Sequence, residues 1–341
     1  MMKKVRFAHF LIVTALAGSI LAGCANDKAS NAIEKSAEDK VLQYQSTVGS
    51  VIYPELAADL GYLEDLKLEK VSNMAGGPES IQLTATGETD FGSAFNGAII
   101  KSYAKNIKIK SVVGSYGSDK NTYHGAFVLE GSPIKSAKDF IGKKVGVNIL
   151  GAHAEFVLKD YLRQNGLTEK EIEQVTLVTL PLSNLEQGLR MKQVDVVIVG
   201  GLSKELAIER GGITEIFTDI DIFGGEFTAG EFFFTEKYIK ENPNTVKTFV
   251  EGTAKAIEWA RTTPREEVIA RYEKIVSARQ GNEPTANLKF FKSPGIAEEG
   301  GQIKDKEFQI WIDWLVKSGE LKEGQIEAED LYTNEFNPFS K

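Results

Sequence analysis

At four places in this chain of 341 residues a short apolar segment ends in glycine or asparagine and a helix begins at once. They are Ala75-Gly76-Gly77-Pro78, Phe95-Asn96-Gly97, Leu150-Gly151-Ala152-His153 and Gly200-Gly201-Leu202-Ser203. Strands that run straight into helices build an α/β fold, and the alternation predicts largely parallel sheets with helices against them. In the first half, Val41–Tyr44, Leu66–Val71 and Ile107–Val113 read as strands and Asp90–Gly92 as a strand end. Helices are expected over Pro54–Leu60, from Gly76 through Ala85, and over Asn96–Ala104, with proline early and glycine late.

The alternation then restarts. Ala126–Leu129 reads as hairpin-like, and Ser136 with Asp139 caps a short turn. Lys144–Val147, Val175–Leu180 and Val194–Val199 are expected strands. Helices are expected over Ala152–Asn165, after a cap made by Ser183 and Glu186, and over Ser203–Glu209. Aligning Asp90 on Asp195, 105 positions on, brings Glu79–Ala104 over Asn184–Glu209 in the same order of elements. Both aspartates read as turn residues closing a helix-to-strand corner. Beyond them, Glu231–Thr235 is a strand and Pro243–Arg261 a long amphipathic helix. Trp311, Trp314 and Leu315 fall at helical spacing and are expected in the core. Asp330–Phe336 reads as a closing clasp.

The start of the chain decides its destination. Lys3, Lys4 and Arg6 precede an apolar run over residues 7–20, the layout of a secretory signal peptide, here 1–23. The run is too short to span ~30 Å of hydrocarbon comfortably. Leu21-Ala22-Gly23-Cys24 resembles the bacterial lipobox, which implies acylation of Cys24 and anchoring to the membrane through lipid. Each buried acyl CH₂ contributes ~0.8 kcal/mol to such anchoring. Residues 24–39 are small and polar and read as a tether.

Without residues 1–23 the net charge moves from −8 to −11, which argues against nucleic acid and against electrostatic adhesion to anionic lipid. Cys24 is the only cysteine, so burial rather than disulfides must stabilise the fold. His124 and His153 lie far apart in the chain, and no zinc or iron site, and no cofactor, is expected, although carboxylates alone could hold calcium. Neither a nucleophile elbow, a Walker loop nor a His-Glu-x-x-His run is present, so no catalytic residue is expected.

The strand-to-helix turns themselves are the candidate binding elements. In an open α/β sheet ligands sit at the carboxyl ends of the strands, where helix starts offer N–H donors to an anion. The turns carry no lysine or arginine, nor does the first loop, Gln45–Ser50, so amides and hydroxyls would hold the ligand. His153 either assists there or is a surface cap. Tyr44, Tyr53, Tyr116 and Phe227 could face an organic body, and Glu226 an amine.

Four segments resemble solute-binding proteins of ABC importers for sulfonates, nitrate and taurine. They are Tyr53–Leu63 (YPELAADLGYL), Gly76–Glu79, Thr86–Gly92 (TGETDFG) and Ile134–Val145 (IKSAKDFIGKKV). The resemblance implies an α/β, two-lobed periplasmic-binding-protein-like fold of type II, each lobe a mixed sheet flanked by helices, with two crossovers at the hinge. The first lobe would comprise 40–122 plus 233–341 and the second 123–232. Carried over residue by residue, the binding positions are Gln45, Ser46, Ser50, Gly77, Asn96, Tyr116, Gly151, Ala152, His153 and Gly201, to which the residues add Glu226. The turn at Asn148–His153 departs from the serine-rich turns of sulfonate receptors, and the Gly224-Gly225-Glu226 loop is also unusual. The function implied is a non-enzymatic, monomeric, lipid-anchored receptor on the extracytoplasmic face of a bacterial membrane. It would capture a small organic anion or zwitterion and hand it to a permease with its ATPase. The alternatives are an aromatic vitamin precursor of the thiamine-pyrimidine type as ligand, or an extracytoplasmic enzyme on the same fold.

Overall fold

The computed structural model describes residues 38–340. The signal segment 1–23, Cys24 and residues 25–37 lie outside the described residues. Of the expected tether only Glu38 and Asp39 are described, and both are docked. The Glu38 carboxylate accepts from Asn244 and from the Thr245 N–H (2.7 and 2.8 Å), and the Asp39 carbonyl accepts from the Thr245 hydroxyl at 2.7 Å. Among the described residues no helix is long and apolar enough to cross a membrane.

The first stretch runs β1 (Val41–Ser46), α1 (Tyr53–Asp59), β2 (Lys67–Asn73), α2 (Gly77–Thr86), β3 (Phe91–Phe95), α3 (Asn96–Ala104) and β4 (Ile109–Ser118). The second runs β5 (His124–Leu129), β6 (Lys144–Val147), α4 (His153–Gln164), α5 (Glu169–Ile172), β7 (Thr176–Thr179), α6 (Leu185–Arg190), β8 (Val196–Gly200), α7 (Gly201–Arg210), β9 (Ile213–Thr218) and α8 (Asp219–Phe223). The chain then returns through β10 (Phe227–Thr235), α9 (Glu236–Glu241), α10 (Pro243–Thr262), α11 (Arg265–Ala278) and α12 (Asp305–Lys317).

The sheets are mixed rather than largely parallel. In the order β7-β6-β8-β5-β9, β6 runs parallel to β7 and β8, while β5 is antiparallel to both its neighbours. β10 lies antiparallel between β3 and β4, and β1 pairs in parallel with β2. The antiparallel strands are the two that follow the crossings at 119–123 and 224–226, where the chain passes from one layer to the other.

Asp90 and Asp195 explain why the two layers echo each other. The Asp90 N–H donates to the Gln43 carbonyl at 2.9 Å, and the Asp90 carboxylate accepts the Gln43 N–H at 2.7 Å. Asp195 does the same to Lys144, with 2.8 Å for each bond. β1 is thereby tied to the start of β3, though the two belong to separate sheets, as β6 is tied to β8, and in each layer the strand that arrives by a crossing lies between the third and fourth of the other strands. The corner-closing role expected of both aspartates is what the structure shows.

Several local expectations need correction. Ala126–Leu129 is no hairpin but part of a strand paired on both edges. Ser183 does not cap α6; it lies in a 3₁₀ turn and donates to Asn184, and Glu186 pairs instead with Arg190 and Arg210. The Ser136–Asp139 capping box forms as read. Along α10, Val246, Phe249, Val250, Thr253, Ala254, Ile257 and Ala260 are all buried, each large apolar member contributing ~1.5–3 kcal/mol. Trp311, Trp314 and Leu315 are core residues. The closing clasp forms on the edge of β4, where Ser111 exchanges backbone bonds with Leu331 and Thr333 at 2.9 Å each.

Candidate functional site

The four glycine-led turns converge on one seam. A Cβ on Gly76 would stand 2.7 Å from Ile149, and one on Gly97 would stand 2.9 Å from the Phe156 ring. Phe95 stacks on His153 with ring centres 5.2 Å apart and planes within 2°. Leu202, in the fourth turn, packs against the core that contains β1 and α10. Turns from both layers therefore face one another, and the small residues are what allow so close an approach. Gly151 and Gly201 hold left-handed φ angles of 73° and 52°. The N-caps of α2, α3, α4 and α7 are Gly76, Phe95, Ala152 and Gly200, and none makes a side-chain capping bond. Away from the turns, Lys292 and Lys289 reach across to Glu205 and Glu209 on α7 at 2.7 and 2.8 Å.

Beside this seam the first loop is organised by a cation the sequence reading did not assign. Arg279, at the end of α11, donates to the Ser50 carbonyl (2.6 Å), the Ser46 hydroxyl (3.0 Å) and the Thr47 carbonyl (3.2 Å). It also pairs with Glu55 and Glu283 at 2.6 and 2.7 Å, with all three side chains at most 9% exposed. Gln45 is buried and donates to Ser72. Asn96 is fully buried, its amide within 3.4 Å of the Thr228 carbonyl, the Glu307 carbonyl and the Glu231 carboxylate. These side chains serve the interior. Tyr116 and His153 stand together at the seam and Gly77, Gly151, Ala152 and Gly201 belong to the turns, whereas Glu226 is exposed on the second crossing.

Two carboxyls behind the seam were also missed. Burial, reinforced by the Glu307 carboxylate, pushes Glu231 well above the usual range, and burial pushes Glu307 up to about 7. Glu231 lies in the middle of β10 and Glu307 in the first turn of α12, and neither position announced its burial.

The second correction concerns the histidines. His153 is not a surface cap: it is 4% exposed, among Phe95, Tyr116, Phe227 and Trp311. Nor does separation in sequence keep the histidines apart, since the His124 and His153 ring centres stand 4.5 Å apart. Between them is Asp219, fully buried, which accepts from the Ser118 hydroxyl at 2.6 Å and the His124 backbone N–H at 3.2 Å. His124 Nδ1 and His153 Nε2 each lie 3.4 Å from Asp219 Oδ2. Burial pushes the His153 pKa down to about 3, so its ring is neutral at physiological pH. Burial opposes ionisation of Asp219, but His124 and Ser118 more than offset it and hold the carboxyl below its usual range. Ser118 gives its hydrogen bond to the carboxylate rather than to an imidazole, which is not the order that activates a serine nucleophile.

Against known proteins, a family model described as NMT1/THI5 like matches residues 52–267. No curated protein matches the sequence. Among solved structures, one from Bordetella bronchiseptica is similar over 87% of this chain and 96% of its own, at TM-score 0.71 and 19% identity. The alkanesulfonate-binding protein SsuA of Xanthomonas axonopodis is similar over 87% and 99%, at TM-score 0.67 and 16% identity. The periplasmic nitrate-binding protein NrtA of Synechocystis is similar over 87% of each chain, at TM-score 0.66 and 12% identity. The fold is thus the two-lobed α/β fold of periplasmic binding proteins.

Proposed function

The chain belongs to the NMT1/THI5-like family, and from that premise we propose that it is an extracytoplasmic solute-binding lipoprotein of an ABC importer. It captures a small organic anion or zwitterion of the sulfonate, taurine or nitrate class between its lobes and passes it, chemically unaltered, to a permease with its ATPase. The observation that carries this reading is the convergence of four glycine-led helix starts, two from each layer, on one seam. A helix start offers unpaired N–H donors and partial positive charge, so the arrangement suits an anion in a place poor in lysine and arginine. The chemistry of the alkanesulfonate- and nitrate-binding structures that share the fold supports that ligand class.

In this reading the expected lobes, 40–122 with 233–341 and 123–232, close about the two crossings, with the second boundary drawn back to 224–226 because β10 (Phe227–Thr235) pairs with β3 and β4. Gly77, Tyr116, Gly151, Ala152, His153 and Gly201 contact solute. Gln45, Ser46 and Ser50 shape the neighbouring loop, Asn96 supports α3 from within, and Glu226 stands at the rim. Acylated Cys24 anchors the monomer at the outer face of the membrane. A second reading, an aromatic heterocycle of the thiamine-pyrimidine type, is favoured by the rings of Tyr116, Phe223, Phe227 and Trp311 around the seam.

A thermal-shift screen against sulfonates, taurine, nitrate and pyrimidine vitamin precursors tests both. A ligand at ~100 times its Kd adds ~2.7 kcal/mol, and the compound should be recovered unchanged by mass spectrometry. Conversion to a product would replace the receptor by an enzyme, and the absence of any stabilising compound would overturn both ligand classes.

A further inference from the structure

We propose that His124, His153 and Asp219 form a binding site for a divalent transition metal of the zinc type. The three come from the start of β5, the start of α4 and the start of α8, and one ligand atom from each lies within 4.8 Å of the others. The spacing of each imidazole from the carboxylate fits an ion. Two donors each ~2.0–2.1 Å from a tetrahedral centre stand ~3.3–3.4 Å apart. His124 Nδ1 and His153 Nε2 are each 3.4 Å from Asp219 Oδ2, and neither nitrogen makes a hydrogen bond there. Two imidazole nitrogens and one carboxylate oxygen select zinc-like ions over magnesium or calcium, which prefer all-oxygen shells.

A second observation points the same way. His153, 4% exposed, has no hydrogen-bond partner on either ring nitrogen, and His124 Nδ1 has none either. Leaving a buried polar group unpaired costs ~1–3 kcal/mol, and coordination would satisfy one nitrogen on each ring. The ligands are also held in place. Phe95 stacks on His153, Ser118 fixes the Asp219 carboxylate, and Gly200 leaves room for the His124 ring, which a Cβ there would meet at 2.4 Å. A fourth position would remain for water, and bound Zn²⁺ would turn a locally negative cluster positive in a seam whose turns lack cationic side chains.

All three ligands lie within residues 124–219, so the inference does not rest on the solute reading, and its test uses no solute. The full chain, stripped of metal by chelator, is titrated with Co²⁺ and followed by visible absorption and by quenching of tryptophan, Trp311 lying 6.4 Å from His153. The expected result is one tetrahedral Co²⁺ per chain, displaced by Zn²⁺ and not by Mg²⁺. His124→Gln, Asp219→Asn and His153→Phe should each weaken binding by at least ~10-fold while melting cooperatively in chelator. Absence of tetrahedral Co²⁺ bands in the folded wild-type chain overturns the proposal without recourse to variants. Binding that none of the three substitutions weakens overturns it equally.

Discussion

Arg279 binds two buried carboxylates, one hydroxyl and two carbonyls of the first loop, so its loss would strand charge in the interior. Arg279→Met should cost ~3–5 kcal/mol of unfolding free energy, measured by urea titration, because Glu55 and Glu283 remain buried without their partner. Glu231 carries the opposite problem. It faces Glu307, Tyr116 and Asn96 in the interior, while Glu298 and Lys306 act on Glu307 from outside. Both carboxyls ionise at higher pH in the folded chain than in the unfolded one. The contribution of Glu307 to stability is therefore full below about 4.5 and is lost as pH rises through about 7, and that of Glu231 is likewise full at low pH and lost as pH rises. Glu231→Gln should raise the thermal midpoint at pH 8 and leave it nearly unchanged at pH 4; equal shifts at both would contradict the assignment. The first loop and its serines were legible in the sequence as a strand end. Arg279, Glu231 and Glu307 were not, because burial of a charged side chain depends on partners far along the chain.

At the level of elements, the paired aspartates state why the two halves look alike. Each ties the strand that follows it to a neighbouring strand through a backbone and a side-chain bond. Asp90→Ala and Asp195→Ala should each cost ~1–2 kcal/mol, and hydrogen exchange should rise at Gln43 in the first and at Lys144 in the second. If Asp195→Ala leaves Lys144 protected, the corner is held by something else. The echo was legible because helix, glycine or aspartate, strand and helix recur in order. β9 and α8 were not, since Thr214 and Glu215 interrupt the apolar run and α8 is a single turn capped by Thr218. The sheet direction was misread for a related reason: an antiparallel strand inserted from the other half leaves no mark on the local pattern.

For the whole molecule, the two-lobed fold was legible in the glycine-led turns and the segments resembling importer receptors. What was not legible is how closely the lobes meet. Phe95 and His153, one from each lobe, stack with ring centres 5.2 Å apart, and Gly76 approaches Ile149 so closely that a side chain there would act as a wedge. The central claim is that solute binds by drawing these two faces together. Small-angle X-ray scattering, with and without a solute that raises the thermal midpoint, tests it most directly. The account predicts that saturating solute shrinks the radius of gyration of the wild-type chain, and that Gly76→Val both blocks the shrinkage and weakens binding by at least ~10-fold. A solute that binds without changing the scattering, and binds Gly76→Val as tightly as wild type, would contradict it.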